Sequence, residues 1–295
     1  MEGNDARRAN LDHWEALANY HGHGDDAYYD LDLLRSGGTL MGVEELAAIE
    51  LATHGVGLAG RFVLHLQCHI GCDSISLARM GANVTSVDFS KSALDRLDVL
   101  AAECGVSVTT IEADATALPA TLDGRFDLVY ASVGVLCWIE DIDAWMGCVA
   151  RVLRPGGSLV LVELHPVVTM FESVEPLVAD FPYCFDGPRT YSGTGTYANR
   201  DADIAWTTVQ YAHSLGEVVT AAYRAGIVCT HLIEHTSGSF NTGQFDGPED
   251  DDRYRLRLGV GAERDGVREP ACPLPVLFTL VGVSAAAAVP PPTSA

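Results

Sequence analysis

A chain of 295 residues, 48% of them hydrophobic, can bury one large core with a modest appendage. Its 40 acidic against 18 basic side chains give a formal charge of -22, and a body so negative repels DNA, RNA and anionic membrane surfaces. No Lys/Arg cluster offsets this, since the densest basic stretches are Arg7-Arg8 and the mixed run 253–257, so neither a nucleic acid nor a membrane is an expected partner.

The opening Met-Glu-Gly-Asn-Asp lacks the basic and apolar parts of a signal peptide. The uncharged stretch 271–295 is interrupted by Pro273, Pro275 and Pro290 to Pro292, which leaves an apolar run of about 14 residues, short of the ~20 that a spanning helix needs. The eight cysteines lie mostly in apolar surroundings of a chain too large to need disulfide staples, and a reduced, cytoplasmic setting is expected. No internal repeat is visible.

In chain order, residues 9–20 and 43–53 have helical periodicity, and residues 1–59 are expected to cap the binding edge of a sheet built from the later residues. Phe62 to Leu66 is a short apolar strand, followed by a turn containing Gly71 and a helix over 73–80 stopped by Gly81. Val84 to Val87 is a second strand ending in Asp88, and Ser90 can cap a helix that runs through Cys104 to Gly105. Val106 to Ile111 is a third strand and Phe126 to Ala131 a fourth. A helix over about 141–153 precedes the Arg154-Pro155-Gly156-Gly157 break and a fifth strand, Ser158 to Leu164. Strands separated by helices imply parallel pairing through right-handed crossovers, with ligands at the carboxyl ends beside the switch in strand order. Residues 60–164 therefore read as the binding core. Residues 165–212, rich in Tyr, Gly and Pro, read as an insertion, too aromatic to be disordered. A helix over 213–225 and strands over 227–235 and 276–283 return the chain to the sheet within 213–284. Between those strands lies an acidic loop, Asp246 to Asp252, and residues 285–295 form a flexible tail.

The first turn carries the chemistry. The run from Val63 to Ser74, Val-Leu-His-Leu-Gln-Cys-His-Ile-Gly-Cys-Asp-Ser, resembles the first motif of class I S-adenosylmethionine-dependent methyltransferases, a hydrophobic strand, an acid, then Gly-x-Gly-x-Gly. Gly71 keeps the last glycine, His65 stands at the acidic position, and Gln67 and His69 replace the first two glycines. Leu-His-Leu-Gln-Cys-His-x-Gly is the usual form in a bacterial, actinobacterial-type branch of that family, and the match here is residue for residue. The resemblance extends through Asp88, where the family acid accepts from the ribose hydroxyls, and Asp114-Ala115, the adenine-binding acid and backbone donor. It continues in Ser132-Val133-Gly134 beside the methyl donor and in the turn 154–157. It implies a Rossmann-like α/β fold, a mostly parallel seven-stranded sheet with helices on both faces. The implied cofactor is S-adenosylmethionine, with S-adenosylhomocysteine as product, held by Gln67, His69, Gly71, Asp88, Asp114, Ala115, Ser132 and Val133. A dinucleotide site is the rival reading, but it wants Gly-x-Gly-x-x-Gly and this turn has one glycine. His65, Cys68, His69 and Cys72 have the spacing of four zinc ligands on a helix; because 62–66 is a strand, no metal is expected.

Methyl transfer needs alignment more than acid or base power, though an O- or N-nucleophile gains from a base. His165, at the end of the fifth strand, and Tyr20 are the candidate catalytic residues, whereas His213 reads as a helix cap. Tyr28, Trp138, Tyr183, Tyr191, Tyr197 and Trp206 come from three segments that the fold brings to one mouth, and they imply a small, hydrophobic acceptor of natural-product type. Their π faces would also suit a carbocation, so methylation of an isoprenoid carbon, with or without cyclisation, is an alternative. A nicotinamide-dependent oxidoreductase and a catalytically silent cofactor-binding partner are the alternatives from other classes. A homo-oligomer is compatible with the sequence.

Overall fold

In the computed structural model, α1 (Gly3–Tyr20), α2 (Leu31–Arg35) and α3 (Val43–Thr53) precede an alternation of strand and helix. This runs β1 (Phe62–Leu66), α4 (Cys72–Arg79), β2 (Asn83–Asp88), α5 (Lys91–Glu103), β3 (Thr109–Glu112), β4 (Phe126–Ala131), α6 (Ile142–Val152) and β5 (Leu153–Leu164). A short α7 (Pro166–Thr169) leads to β6 (Phe171–Val174), β7 (Leu177–Ala179), β8 (Arg189–Thr194) and β9 (Ala205–Gln210), then α8 (Leu215–Arg224) and β10 (Ile227–His235). Two short pairs come next, β11 (Leu256–Leu258) with β14 (Cys272–Leu274) and β12 (Glu263–Arg264) with β13 (Val267–Arg268), before the last strand, β15 (Leu277–Ser284). The structure describes residues 3–21, 28–174, 177–179, 181–238, 256–258, 263–264, 267–268 and 272–285. The acidic loop 246–252 and the tail beyond Ala285 lie outside them.

Seven strands form one sheet in the order β10-β15-β5-β4-β1-β2-β3, parallel except that β15 runs antiparallel to both neighbours. The mostly parallel α/β sheet expected from the sequence is present. The centre is apolar on both faces because helices cover both: β1 buries Val63 to Leu66, and β5 buries Ser158 to Glu163. From β1 the chain winds outward to β3, then crosses to β4 and winds the other way, so the switch in strand order lies between β1 and β4. Their carboxyl ends, Leu66 and Ala131, open the crevice where such sheets hold ligands.

Several sequence-derived boundaries shift for local reasons. Helix α1 starts at Gly3 rather than near residue 9 and packs on α5 and β9, so it lies over the binding edge. Helix α3 packs instead on β5 and β15, burying Ala48, Ile49 and Ala52 against the sheet face. The third strand begins at Thr109. Residues 154–157 do not end a strand: they form a bulge in β5, where Leu153 pairs with Phe126 and Ser158 with Leu128. Gly157 is required there, since a Cβ would come within 2.9 Å of the Phe126 carbonyl. The insertion holds two hairpins, β6-β7 and β8-β9, which irregular composition concealed.

Candidate functional site

A cavity of about 1400 Å³ opens at the carboxyl ends of β1 and β4. Its floor is the turn 67–71. Gly71 has φ of 72° as the residue before α4, and an added Cβ would lie 2.3 Å from Leu97 Cδ1. Gln67 and His69 are also left-handed, with φ of 54° and 48°, a conformation that costs a non-glycine residue about 1 kcal/mol. Specific bonds hold them there. The Gln67 amide donates to the Val135 carbonyl and accepts from Trp145 Nε1, each at 3.0 Å. The His69 backbone N–H donates to Asp88 Oδ2 at 2.9 Å. Gln67 thus lines the cavity with its polar atoms already engaged.

Asp88 closes β2 as a buried carboxylate that also accepts from the Ser90 N–H at 2.9 Å. Burial pushes it up to about 6 against these backbone donors. Asp114 accepts from the Thr116 N–H and hydroxyl and from Arg7 Nε at 2.7 Å. Its burial is outweighed by those bonds, which hold it below the usual carboxylate value. Ala115, Ser132 and Val133 line the same wall. The loop after β4 is fixed from beneath by Glu163, whose carboxylate accepts from the N–H groups of Gly134, Val135, Leu136 and Leu164. Burial raises this acid and the four donors oppose the rise.

Over the mouth lies an aromatic layer. Trp138 is 5.3 Å from Trp14, and His13 lies 6.0 Å from Trp138 and 5.7 Å from Trp206, centroid to centroid. Tyr28, Tyr191 and Tyr197 also line the cavity, whereas Tyr183 does not. Three imidazoles in this layer stay neutral through burial: His13 and His21 fall to about 4 and His69 well below its ordinary value, with neighbouring imidazoles adding to the last two. His21 Nδ1 and His69 Nε2 lie 3.0 Å apart as a hydrogen-bonded pair, and the Tyr197 hydroxyl is 3.3 Å from His21 Nδ1. Trp14, His13, His21 and Arg7 were not singled out by sequence reasoning. Three of them lie on α1 and His21 just beyond it; that helix carries an ordinary amphipathic pattern, and only its tertiary position brings them to the cavity.

The two candidate catalytic residues sit elsewhere. His165 accepts from the Val167 N–H through Nδ1 and bonds Glu234 Oε1 through Nε2, so both nitrogens are engaged in capping α7 and tying β10, off the cavity wall. The Tyr20 hydroxyl accepts from Asn199 Nδ2 at 2.6 Å and clips α1 to the insertion. His213 lines the cavity instead; its Nε2 lies 2.6 Å from the Ile139 carbonyl, and Ser214 rather than His213 caps α8. The four residues with zinc-like spacing diverge, as His65 bonds Ser74 at 2.7 Å and His69 bonds His21. Among the described residues no group of three or more His, Cys, Asp or Glu is placed to hold a metal, and no helix is long and apolar enough to cross a membrane. The seven cysteines with described side chains are free thiols.

These features fit a nucleoside carrying an amino acid. The glycine at 71 admits close backbone approach, a buried acid ends β2, and a second acid comes after β3. A profile described as "Methyltransferase domain" matches residues 63–157. A ubiquinone biosynthesis O-methyltransferase of Cupriavidus pinatubonensis is 39% identical over 103 residues, 35% of this chain and 41% of that protein. This chain therefore spans less than half the length of the first curated relatives it matches. A demethylmenaquinone methyltransferase of Mycolicibacterium gilvum is 30% identical over 174 residues, 53% of this chain and 73% of that protein. The crystal structure of an S-adenosylmethionine-dependent methyltransferase from Mesorhizobium loti superposes with a TM-score of 0.54 over 82% of this chain and 98% of that one, at 20% identity, a likeness of fold. With the site geometry and the relative covered over nearly three quarters of its length, the chain belongs to the class I S-adenosylmethionine-dependent methyltransferases.

Proposed function

We propose that this protein transfers the methyl group of S-adenosylmethionine to a small, largely hydrophobic acceptor of natural-product type. One observation carries the reading: a single cavity is lined both by the Gly71 turn, Asp88 and Asp114 and by Trp14, Trp138, Trp206, Tyr191 and Tyr197. The bound cofactor supplies an electrophilic methyl on a sulfonium. The chain supplies position and dryness. Asp88 is aligned by His69 and Ser90 to accept from vicinal hydroxyls, and Asp114 is aligned by Thr116 and Arg7 at the adenine end. Ala115 offers a backbone donor, and Ser132 and Val133 line the wall fixed by Glu163. The aromatic layer excludes water and presents apolar faces to the acceptor, which favours in-line displacement through proximity. An oxidoreductase reading loses its support with the family membership, and this reading gives His165 no role as a base, since both of its ring nitrogens have partners.

Calorimetry with S-adenosylhomocysteine tests the central claim. Asp88→Ala removes both carboxylate oxygens and is expected to weaken binding about 150-fold or more, the scale of two hydrogen bonds to a charged acceptor at ~1.5 kcal/mol or more each. Equal affinity of variant and wild type would sink the role of Asp88, and no heat from the wild type would sink the cofactor.

A further inference from the structure

Of the carboxylates that line this cavity, Asp73 and Glu45 act on each other with no cation beside them among the described residues. Asp73, in the first turn of α4, is walled in by protein and lines the cavity; its Oδ2 accepts from the Tyr130 hydroxyl at 3.0 Å and from the Ser132 hydroxyl at 3.1 Å. Glu45, in the first turn of α3, is buried and lines the same cavity. Among the described residues neither takes part in an ion pair. The one Arg or Lys among the described residues of the cavity wall, Arg7, is bound to Asp114. Buried carboxylates in this state favour any cation that enters, because it removes the cost of their desolvation. That cost is visible at Glu45: burial first, then the Asp73 charge, push it up to about 8. Burial likewise raises Asp73 against its two hydroxyl donors.

The neighbouring polar groups are not available for a cation. His65, at the end of β1, is held neutral by burial and bonded to Ser74, and the Gln67 amide is engaged at both ends. Glu163 is committed to four backbone donors. The turn leads from Asp88, through His69 and Gly71, directly into the helix that begins with Cys72 and Asp73.

We propose that Asp73, seconded by Glu45, is the ammonium site of this protein and holds the α-amino group at the amino-acid end of S-adenosylmethionine. The proposal rests on the cofactor reading of the same cavity. It assigns to a helix and to the N-terminal segment the negative charge that His65 cannot carry. It also has a proton consequence. Glu45 faces Glu44 on its own helix, Asp73 from α4 and Tyr130 from β4, none of them cationic. An entering ammonium stabilises ionised Glu45, so binding near neutral pH releases a proton.

The test is calorimetry on the full chain with two probes, S-adenosylhomocysteine and 5′-methylthioadenosine, which lacks the amino-acid end. Asp73→Asn keeps an oxygen for Tyr130 and Ser132. It is expected to weaken S-adenosylhomocysteine ~10- to 100-fold while leaving methylthioadenosine within about twofold. Glu45→Gln is expected to abolish the proton release, seen as buffer-dependent heat of S-adenosylhomocysteine binding. Equal loss of both probes in Asp73→Asn, or no loss of either, overturns the proposal. If that variant does not fold, proton release persisting in Glu45→Gln overturns it alone. A wild type that binds neither probe overturns the cofactor reading, whereas one that binds both equally overturns only the ammonium site.

Discussion

At Gly71 two constraints coincide, a left-handed backbone and a Leu97 side chain against the bare Cα. Gly71→Ala is expected to destabilise the fold by about 2–4 kcal/mol, the sum of the left-handed penalty and a core clash. Adding Leu97→Ala should recover the clash component and leave the backbone component, so a double-mutant cycle by chemical denaturation should show a favourable coupling of about 1–3 kcal/mol. Strict additivity would show that the clash is relieved by other means. The same turn shows how a glycine position can be filled. Gln67 and His69 adopt left-handed geometry because the Gln67 side chain is anchored on Val135 and Trp145, and the His69 N–H on Asp88. That anchoring accounts for the conflict between the Gly-poor motif and the turn it forms.

Among the elements, α1 and the β8-β9 hairpin act as one cover. Asn10 is buried and bonds both ways to Val209, its Nδ2 donating to the carbonyl and its Oδ1 accepting from the N–H, each at 2.8 Å. Asn199 to Tyr20 and Tyr197 to His21 add further ties. Asn10→Ala leaves two buried backbone groups of Val209 unpaired, at about 1–3 kcal/mol each. Hydrogen exchange should then quicken across 3–20 and 205–210 while 72–79 and 91–103 keep their protection. Uniform loss of protection would mean that the cover and core unfold together. The insertion was legible as ordered from its aromatics, but its strands were not: β8 alternates half-buried and exposed residues of polar character, and its pairing with β9 is set by contact with α1.

For the whole molecule, the formal charge of -22 and the buried ionisable groups set the pH response. Burial holds Glu45 at about 8, above its ordinary 4.5, so its protonated form is the one that the fold favours. That contribution is complete below pH ~4.5 and is lost as pH rises through about 8. His13, His21 and His65 are depressed by burial to about 4, 4 and 3. Their contribution is present above pH ~6.5 and lost as pH falls toward those values. Stability is therefore expected to peak between these limits. Glu45→Gln should flatten the alkaline limb of a Tm-against-pH curve and leave its shape below pH ~4.5 unchanged, and a variant curve parallel to wild type at all pH values would contradict the assignment.

Much was determined by the sequence itself. The alternation of strands and helices, the helix cap at Ser90, and the acids at 88 and 114 are local or evenly spaced features, set by periodicity and by the chain's own hydrogen bonds. So the sheet, and the presence of Asp88 and Asp114 at its ligand-binding edge, could be read in advance. Only tertiary structure decided the rest, because it depends on which nitrogen or oxygen is already engaged by a residue distant in sequence. His165 was removed from the cavity by Glu234, and the Gln67 amide was engaged by Trp145. The partner of Asp114 came from α1, and that of the His69 ring is His21, just beyond its end. Asp73 and Glu45 line the same cavity, and no spacing along the chain relates those two carboxylates: it is the packing of α3 on the sheet that brings Glu45 there.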